Sequence, residues 1–229
     1  MLARMSEFAD AIGPAAPLPR RLWERIRNDP LHAPEHIALA ASELHAPAAA
    51  EWAGKRRRVY GSDPKKLAQM ARRRHTTMAG VEGAATGVGG FVTVVPDLVG
   101  LAWIQSRLVF FIAAAYGYDP HDPMRPAELL VLNGLYGDPV EARKALDGIG
   151  TSLAETWIGS KLERDEAIVK RLTKMAGKYT GKKLAGRLVP GFAIAFNSVV
   201  NRRDTDALAK RAILFYGGSD RQRRAVERR

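Results

Sequence analysis

One stretch limits the possible folds more than any other: "GAATGVGGFVTVVPDLVGLAWIQSRLVFFIAAAYGYDP", Gly83 to Pro120, in which Asp97 and Arg107 are the only charges before Asp119. It could cross a bilayer, cradle a cofactor or fill a core. A span needs about 20 mostly apolar residues, and the uncharged runs Gly83–Pro96, Leu98–Ser106 and Leu108–Tyr118 hold 14, 9 and 11. Arg107 at mid-bilayer would cost about 2.5–3.5 kcal/mol. "TGVGG" lacks the third glycine of a dinucleotide loop and no strand precedes it. A core remains. The glycines permit tight reversal and close helix contact. Apolar positions Leu67, Met70, Ala71, Met78, Ala79 and Val81 recur at helical spacing before them. The expectation is a helical hairpin. In it Arg107 needs a carboxylate or carbonyls to offset desolvation. With the turn near Gly90, residue 107 lies opposite about residue 74, and Glu82 is eight helical residues, roughly 12 Å, farther along. The partner of Arg107 stays open.

The rest also reads as helix. Five Asp-Pro pairs (Asp29, Asp63, Asp119, Asp122, Asp138) suit helix starts, with Asp as cap and Pro first in the helix. Residues 1–20 are expected to be a flexible arm, because "GPAAPLP" continues no regular element. Pro34 to about Ala53 is helix-favouring, followed by a basic link "KRRRVYGSDPKK". Gly134, Gly137 and Gly148 divide the following region into two or three short helices. From Asp165 the apolar stripe Ile168, Leu172, Met175, Ala176, Tyr179, Leu184 and Leu188 marks an amphipathic helix, then "LVPGFAIAFNSVVN" precedes a last helix. "GFVTVV" is the one β-branched run, too little for a sheet. "VVPDLVG…IAAAYGY" and "LVPGFAI…AILFYGG" echo each other, suggesting two hairpins of one design. The expected fold is all-α: a helical bundle built around two apolar helical hairpins with shorter amphipathic helices, in a single domain at 21–218, with 219–229 a basic disordered tail.

Charge and composition bound the chemistry. The chain of 229 residues has 36 Lys+Arg against 24 Asp+Glu, net +12, which favours polyanions such as phospholipid surfaces or nucleic acid. It has no cysteine, which excludes disulfides, thiol nucleophiles and cysteine-ligated zinc or iron–sulfur sites. Glu7 and Asp10 interrupt the apolar run a secretory signal needs, so a cytoplasmic location is expected. "GKYTGKK" has three residues between its glycines instead of a phosphate loop's four and no Ser or Thr after the lysine. His32 and His36, with His45 beyond, are the candidate metal ligands, but Pro34 breaks their register. No cofactor and no metal are expected. Asp119, His121 and Asp122 could be catalytic side chains, although Asp before Pro is foremost a cap or turn signature. Asn201, closing an apolar segment, is expected to cap a helix end.

The basic helix is the most informative functional feature. Lys170, Arg171, Lys174, Lys178, Lys182, Lys183 and Arg187 lie mostly outside its apolar stripe, the pattern of a helix lying on an anionic membrane. At about 1 kcal/mol per cation, seven supply at most ~7 kcal/mol, roughly micromolar affinity. Non-specific nucleic-acid binding reaches about the same range, but no helix-turn-helix or RNA-reading signature occurs. Phe91 and Val94, at the expected hairpin tip, would form an insertion wedge.

The Gly83–Pro120 stretch resembles the core signature of the bacterial EcsC family, and "GKKLAGRLVPGFAIAFNSVVNRRDTDALAKRAILFYGG" resembles its second block. The likeness covers roughly residues 64–217. The matching positions are Gly87, Gly89, Gly90, Pro96, Asp97, Gln105, Arg107, Tyr116, Gly117, Asp119, Pro190, Gly191 and Asn201. The resemblance implies an α-helical protein encoded in some bacteria beside an ABC exporter. It carries no agreed catalytic set, so no catalytic residue transfers. The functional expectation is a non-enzymatic accessory protein, peripherally associated with the anionic phospholipid of the cytoplasmic membrane face and linked to an ABC transporter. The alternatives are a hydrolase using Asp and His side chains near Asp119, and non-specific nucleic-acid binding.

Overall fold

The computed structural model describes residues 17–61, 63–86, 94–152 and 192–227. Within these lie seven α-helices: α1 (Arg20–Asn28), α2 (Ala33–Tyr60), α3 (Pro64–Thr86), α4 (Val94–Ala115), α5 (Met124–Leu132), α6 (Pro139–Ser152) and α7 (Phe192–Glu227). A 3₁₀ turn, Pro30–His32, joins α1 to α2, and no strand occurs among the described residues. The all-α expectation is borne out. Val94 and Val95, from the one β-branched run, open α4.

Three of the five Asp-Pro pairs begin α-helices as anticipated, whereas Asp119-Pro120 opens a turn. Asp63 Oδ1 accepts the Lys65 and Lys66 amides at the start of α3. Asp122 accepts the Met124 amide before α5, and Asp138 those of Val140 and Glu141 at the start of α6. Each carboxylate satisfies amides that lack partners in a first turn. Asp29 differs. It is fully buried and receives His32 Nδ1 at 2.9 Å and His36 Nε2 at 3.1 Å, tying the turn to α2.

α4 is the axis of the bundle, in contact with α2, α3, α7 and α5. Pairs rising in number together, His45–Trp103 and Trp52–Phe111, make α2 parallel to α4. Gln105–Thr205 and Tyr118–Tyr216 do the same for α7. Across α3 the numbers run oppositely, Met78 beside Arg107 and His75 beside Phe111, so α3 is antiparallel to α4 and α7. Arg107 Nη1 lies 3.9 Å from Met78 Sδ and Phe111 beside His75, so residue 107 stands opposite about residue 78, roughly one helical turn farther along α3 than the estimate of 74. Residues 87–93 between α3 and α4, with Gly87, Gly89, Gly90 and Phe91, lie outside the described residues, as does 153–191.

The window Leu98–Ala115 is 18 residues long with mean hydropathy 1.8, long and apolar enough to cross a membrane, and all of it is buried inside the protein. The uncharged-run criterion was therefore too strict, since one arginine does not disqualify such a helix. What places α4 in the core is the cover its neighbours give it.

Three boundaries differ from expectation. α2 does not stop near Ala53 but continues through Pro47 and the basic run to Tyr60. Ala, Lys and Arg are good helix formers, and Arg57 reaches across to donate to the Ala114 carbonyl at the end of α4. α7 is one helix from Phe192 to Glu227. Residues 219–227 thus extend it instead of forming a disordered tail. Asn201 is buried inside α7 and does not cap its end.

Candidate functional site

α4 ends in the motif Tyr116-Gly117-Tyr118. Gly117 has φ +88°, donates to the Ala114 carbonyl, and lets Tyr118 N–H reach Ala113 O, the double bond of a Schellman cap. The chain then turns: Asp119 Oδ1 accepts the His121 amide at 2.9 Å, and Asp122 Oδ2 receives Arg125 Nη2 at 3.2 Å. The Met124 amide, then Arg125, hold the Asp122 carboxyl below the usual carboxylate range. Arg125 also pairs with Glu128, which accepts the Tyr216 hydroxyl at 2.8 Å. The Arg125 guanidinium stacks near Tyr118 and Tyr216, 5.2 and 5.6 Å from their ring centroids. Burial pushes both the Glu128 carboxyl and the Tyr216 phenol up. The two echoing sequence endings therefore meet, with Tyr118 and Tyr216 rings 5.1 Å apart. Asp119 and Asp122 are occupied by turn amides and an ion pair, and this arrangement serves to join α4, α5 and α7.

A second polar group lies inside the bundle. Arg107 is 4% exposed, its guanidinium 4.7 Å from the Phe111 ring centroid. Burial, then the nearby Arg74 charge, pushes its pKa down to about 10. His45 lies against Trp103, ring centroids 4.2 Å apart, and His75 Nδ1 bonds the Ala71 carbonyl at 2.8 Å. Burial drives both imidazoles down to about 3. The side chain of Glu82 lies outside the described residues, so that candidate partner for Arg107 is not placed.

His32 and His36 converge on Asp29, whereas His45, farther along α2, packs against Trp103 of α4. Among the described residues no three His, Asp or Glu side chains are arranged to hold a metal ion.

A cleft of about 770 Å³ opens between the antiparallel α3 and α7. α3 contributes Gln69, Arg72, Arg73 and Thr76, and α7 contributes Arg202, Arg203, Asp206, Ala207 and Lys210. Five cations face one carboxylate. Asp206 takes Arg72 Nε at 2.5 Å and Lys210 Nζ at 2.9 Å, and the Arg72 bond, ahead of any other cause, holds it below the usual carboxylate range. Arg72 is braced further by Gln69 Oε1 at 3.1 Å, and the Thr76 hydroxyl bonds back to the Arg73 carbonyl. Arg73, Arg202 and Arg203 are exposed and make no ion pair among the described residues. Each presents a planar fork of donors, the geometry that takes phosphate or carboxylate oxygens in pairs.

Sequence reasoning missed this cleft. It followed α3 through its apolar stripe, which leaves out Arg72 and Arg73, and started the last helix after Asn201, at Arg202 and Arg203, without joining the two. The available signal was two short arginine runs, each on a helix with an apolar stripe, and nothing local pairs them. Lys170, Arg171, Lys174, Lys178, Lys182, Lys183, Arg187, Pro190 and Gly191 all lie outside the described residues. Val94 opens α4, Pro96 is exposed in its first turn, and Asp97 follows.

The EcsC protein family model matches residues 61–218. The chain belongs to the EcsC family. The matched span runs from Gly61, the residue after α2, to the end of the Phe215-Tyr216-Gly217-Gly218 motif, so it contains both walls of the cleft and the Tyr118–Tyr216 junction. α1 and α2 lie outside it. No curated protein and no solved structure matches the chain.

Proposed function

We propose that this EcsC-family protein is a non-enzymatic accessory protein that docks peripherally on the anionic cytoplasmic face of a membrane and serves a membrane system there, such as an ABC transporter. The observation that carries the reading is the α3–α7 cleft, where three arginines without ion-pair partners among the described residues stand beside two more cations and a single carboxylate. The net charge of +12 adds long-range attraction to the same kind of surface. The most apolar helix is enclosed by its neighbours, which suits docking on a bilayer better than crossing it. The hydrolase reading draws no support from the Asp119 turn, because its carboxylates are taken up by backbone amides and Arg125. Flotation of the full chain with vesicles tests the proposal. Recovery on vesicles containing anionic lipid, diminishing as salt rises, is the expected result. Equal recovery on neutral vesicles, or none on either, overturns it.

A further inference from the structure

We infer that the α3–α7 cleft is a headgroup site for a lipid bearing two phosphates, gripped by Arg73 from one wall and Arg202 and Arg203 from the other. The inference rests on the membrane reading above and adds a ligand class and a set of residues to it.

Charge and shape both point this way. The Arg72–Asp206 pair fixes the level of the two antiparallel helices. Counting back from it, Arg203 and Arg202 come within two to four helical positions of Arg73, roughly 3–6 Å along the axis. The three guanidiniums thus share one end of the cleft, and the Arg72–Asp206–Lys210 chain closes the other. Lining cations exceed carboxylates by four. A headgroup with a single phosphate leaves most of that excess unneutralised, whereas two phosphates a few bonds apart offer enough oxygens for three forks. About 770 Å³ also exceeds what one phosphate fills.

A lipid suits the surroundings better than a soluble diphosphate. On α7, Arg203, Ala207, Lys210 and Leu214 follow at four, three and four residues, so Leu214 continues the cleft-lining face, 73% exposed. On α3, Arg73, Thr77 and Val81 step by four, and Val81 is 65% exposed. With Arg72 level with Asp206, Val81 lies beyond the arginine end of the cleft and Leu214 beyond its Lys210 end. Val81 is the apolar side chain placed to meet an acyl chain beside phosphates held by the three arginines. Nucleic acid fits less well: among the described residues no aromatic side chain lines the cleft to stack a base.

The test uses the full chain and three vesicle types: phosphatidylcholine alone, phosphatidylcholine with phosphatidylglycerol, and phosphatidylcholine with cardiolipin at the same total phosphate charge. Partitioning about tenfold stronger onto cardiolipin than onto phosphatidylglycerol vesicles is expected. The variant R73Q/R202Q/R203Q should lose that preference, and R73K/R202K/R203K should lose it while still binding phosphatidylglycerol, because lysine keeps the charge without the fork. R20Q/R21Q/R27Q, which removes equal charge from exposed positions of α1, should retain it. All replaced side chains are exposed, and circular dichroism confirms the variants' folding. Binding to both anionic vesicles without preference, or equal loss in the α1 variant, overturns the headgroup site and leaves membrane docking standing. No binding to either vesicle overturns both. Full competition by methylene diphosphonate at concentrations far below the lipid's places the ligand in solution. An oligonucleotide gel shift lost in the cleft variant, with vesicle binding unchanged, assigns the cleft to nucleic acid.

Discussion

Gly217 of α7 lies directly against Tyr116 at the end of α4: a Cβ at position 217 would stand 2.9 Å from the Tyr116 hydroxyl oxygen and 3.0 Å from its ring. Tyr116 is itself 9% exposed and has little room to retreat. Overpacking of this kind costs about 1–3 kcal/mol, while alanine gains about 1 kcal/mol over glycine in a helix. Gly217→Ala should therefore lower stability by about 1 kcal/mol. Gly218, with nothing within 4 Å of its would-be Cβ, is the internal control, and Gly218→Ala should raise stability by up to about 1 kcal/mol. Denaturant titration of both variants checks the sign. Equal effects at the two positions would disprove the close contact.

The junction that Gly217 completes depends on a buried ion pair. Glu128 receives both Arg125 and the Tyr216 hydroxyl, and removing one partner of a buried pair costs up to about 3–5 kcal/mol because the other charge stays desolvated. Here Arg125 keeps Asp122, so Glu128→Gln should fall at or below the lower end of that range. Tyr216→Phe removes a hydroxyl while Glu128 keeps Arg125, and about 1–2 kcal/mol is expected. A double-mutant cycle between the two should give coupling of at least about 0.5 kcal/mol, since the Tyr216 hydroxyl donates directly to the Glu128 carboxylate.

How far such features could be read from sequence depends on the range over which their cause acts. Helix starts at Asp63, Asp122 and Asp138 were legible because a cap is a local bond between a carboxylate and amides two or three residues on. The apolar character of α4 was plain in its composition, but its burial depends on the helices around it, and the level of Arg107 against α3 was misjudged by about one turn because the turn between the helices was placed at Gly90. Asp29 was misjudged as an ordinary cap because His36, seven residues away, competes for it. The reach of α2 beyond Ala53 was hidden because Arg57 has its partner in α4. The cleft was least legible: Arg73 and Arg203 stand 130 positions apart, and only the antiparallel packing of α3 on α7 gives them a common opening.

Buried histidines give the fold a defined response to acid. His45 and His75 ordinarily titrate near 6.5, and burial holds them neutral in the folded chain down to about 3. Burial lowers His36 as well. Below about pH 6.5 the unfolded chain takes up protons that the folded chain refuses. Stability is thus complete above about pH 6.5 and falls as pH drops toward 3, by up to about 1.4 kcal/mol per pH unit for each of His45 and His75. Denaturation at about pH 7, 5.5 and 4.5 samples the window before most carboxylates protonate. His75→Leu should flatten the slope there by up to half, whatever its stability at pH 7. An unchanged slope would show that His75 does not titrate between the folded and unfolded states.

Asp206 offers a way to raise membrane affinity by removing a charge. Among the described residues it is the one carboxylate lining the cleft, and it neutralises Arg72 and Lys210, at 2.5 and 2.9 Å. Arg72 and Asp206 are each about a quarter exposed and Lys210 more than half, open enough to water that these ion pairs contribute little to stability. Asp206→Asn should therefore leave the unfolding midpoint nearly unchanged. It raises the charge excess of the cleft by one, and one more cation near an anionic bilayer is worth about 1 kcal/mol, roughly a fivefold gain in partitioning. The gain should shrink as salt rises, because the interaction is screened. Sedimentation with phosphatidylglycerol vesicles at low and high salt measures both effects. A fall in binding would mean instead that Asp206 holds Arg72 in the orientation the lipid phosphate needs, and Arg72→Ala would then weaken binding as strongly as Asp206→Asn.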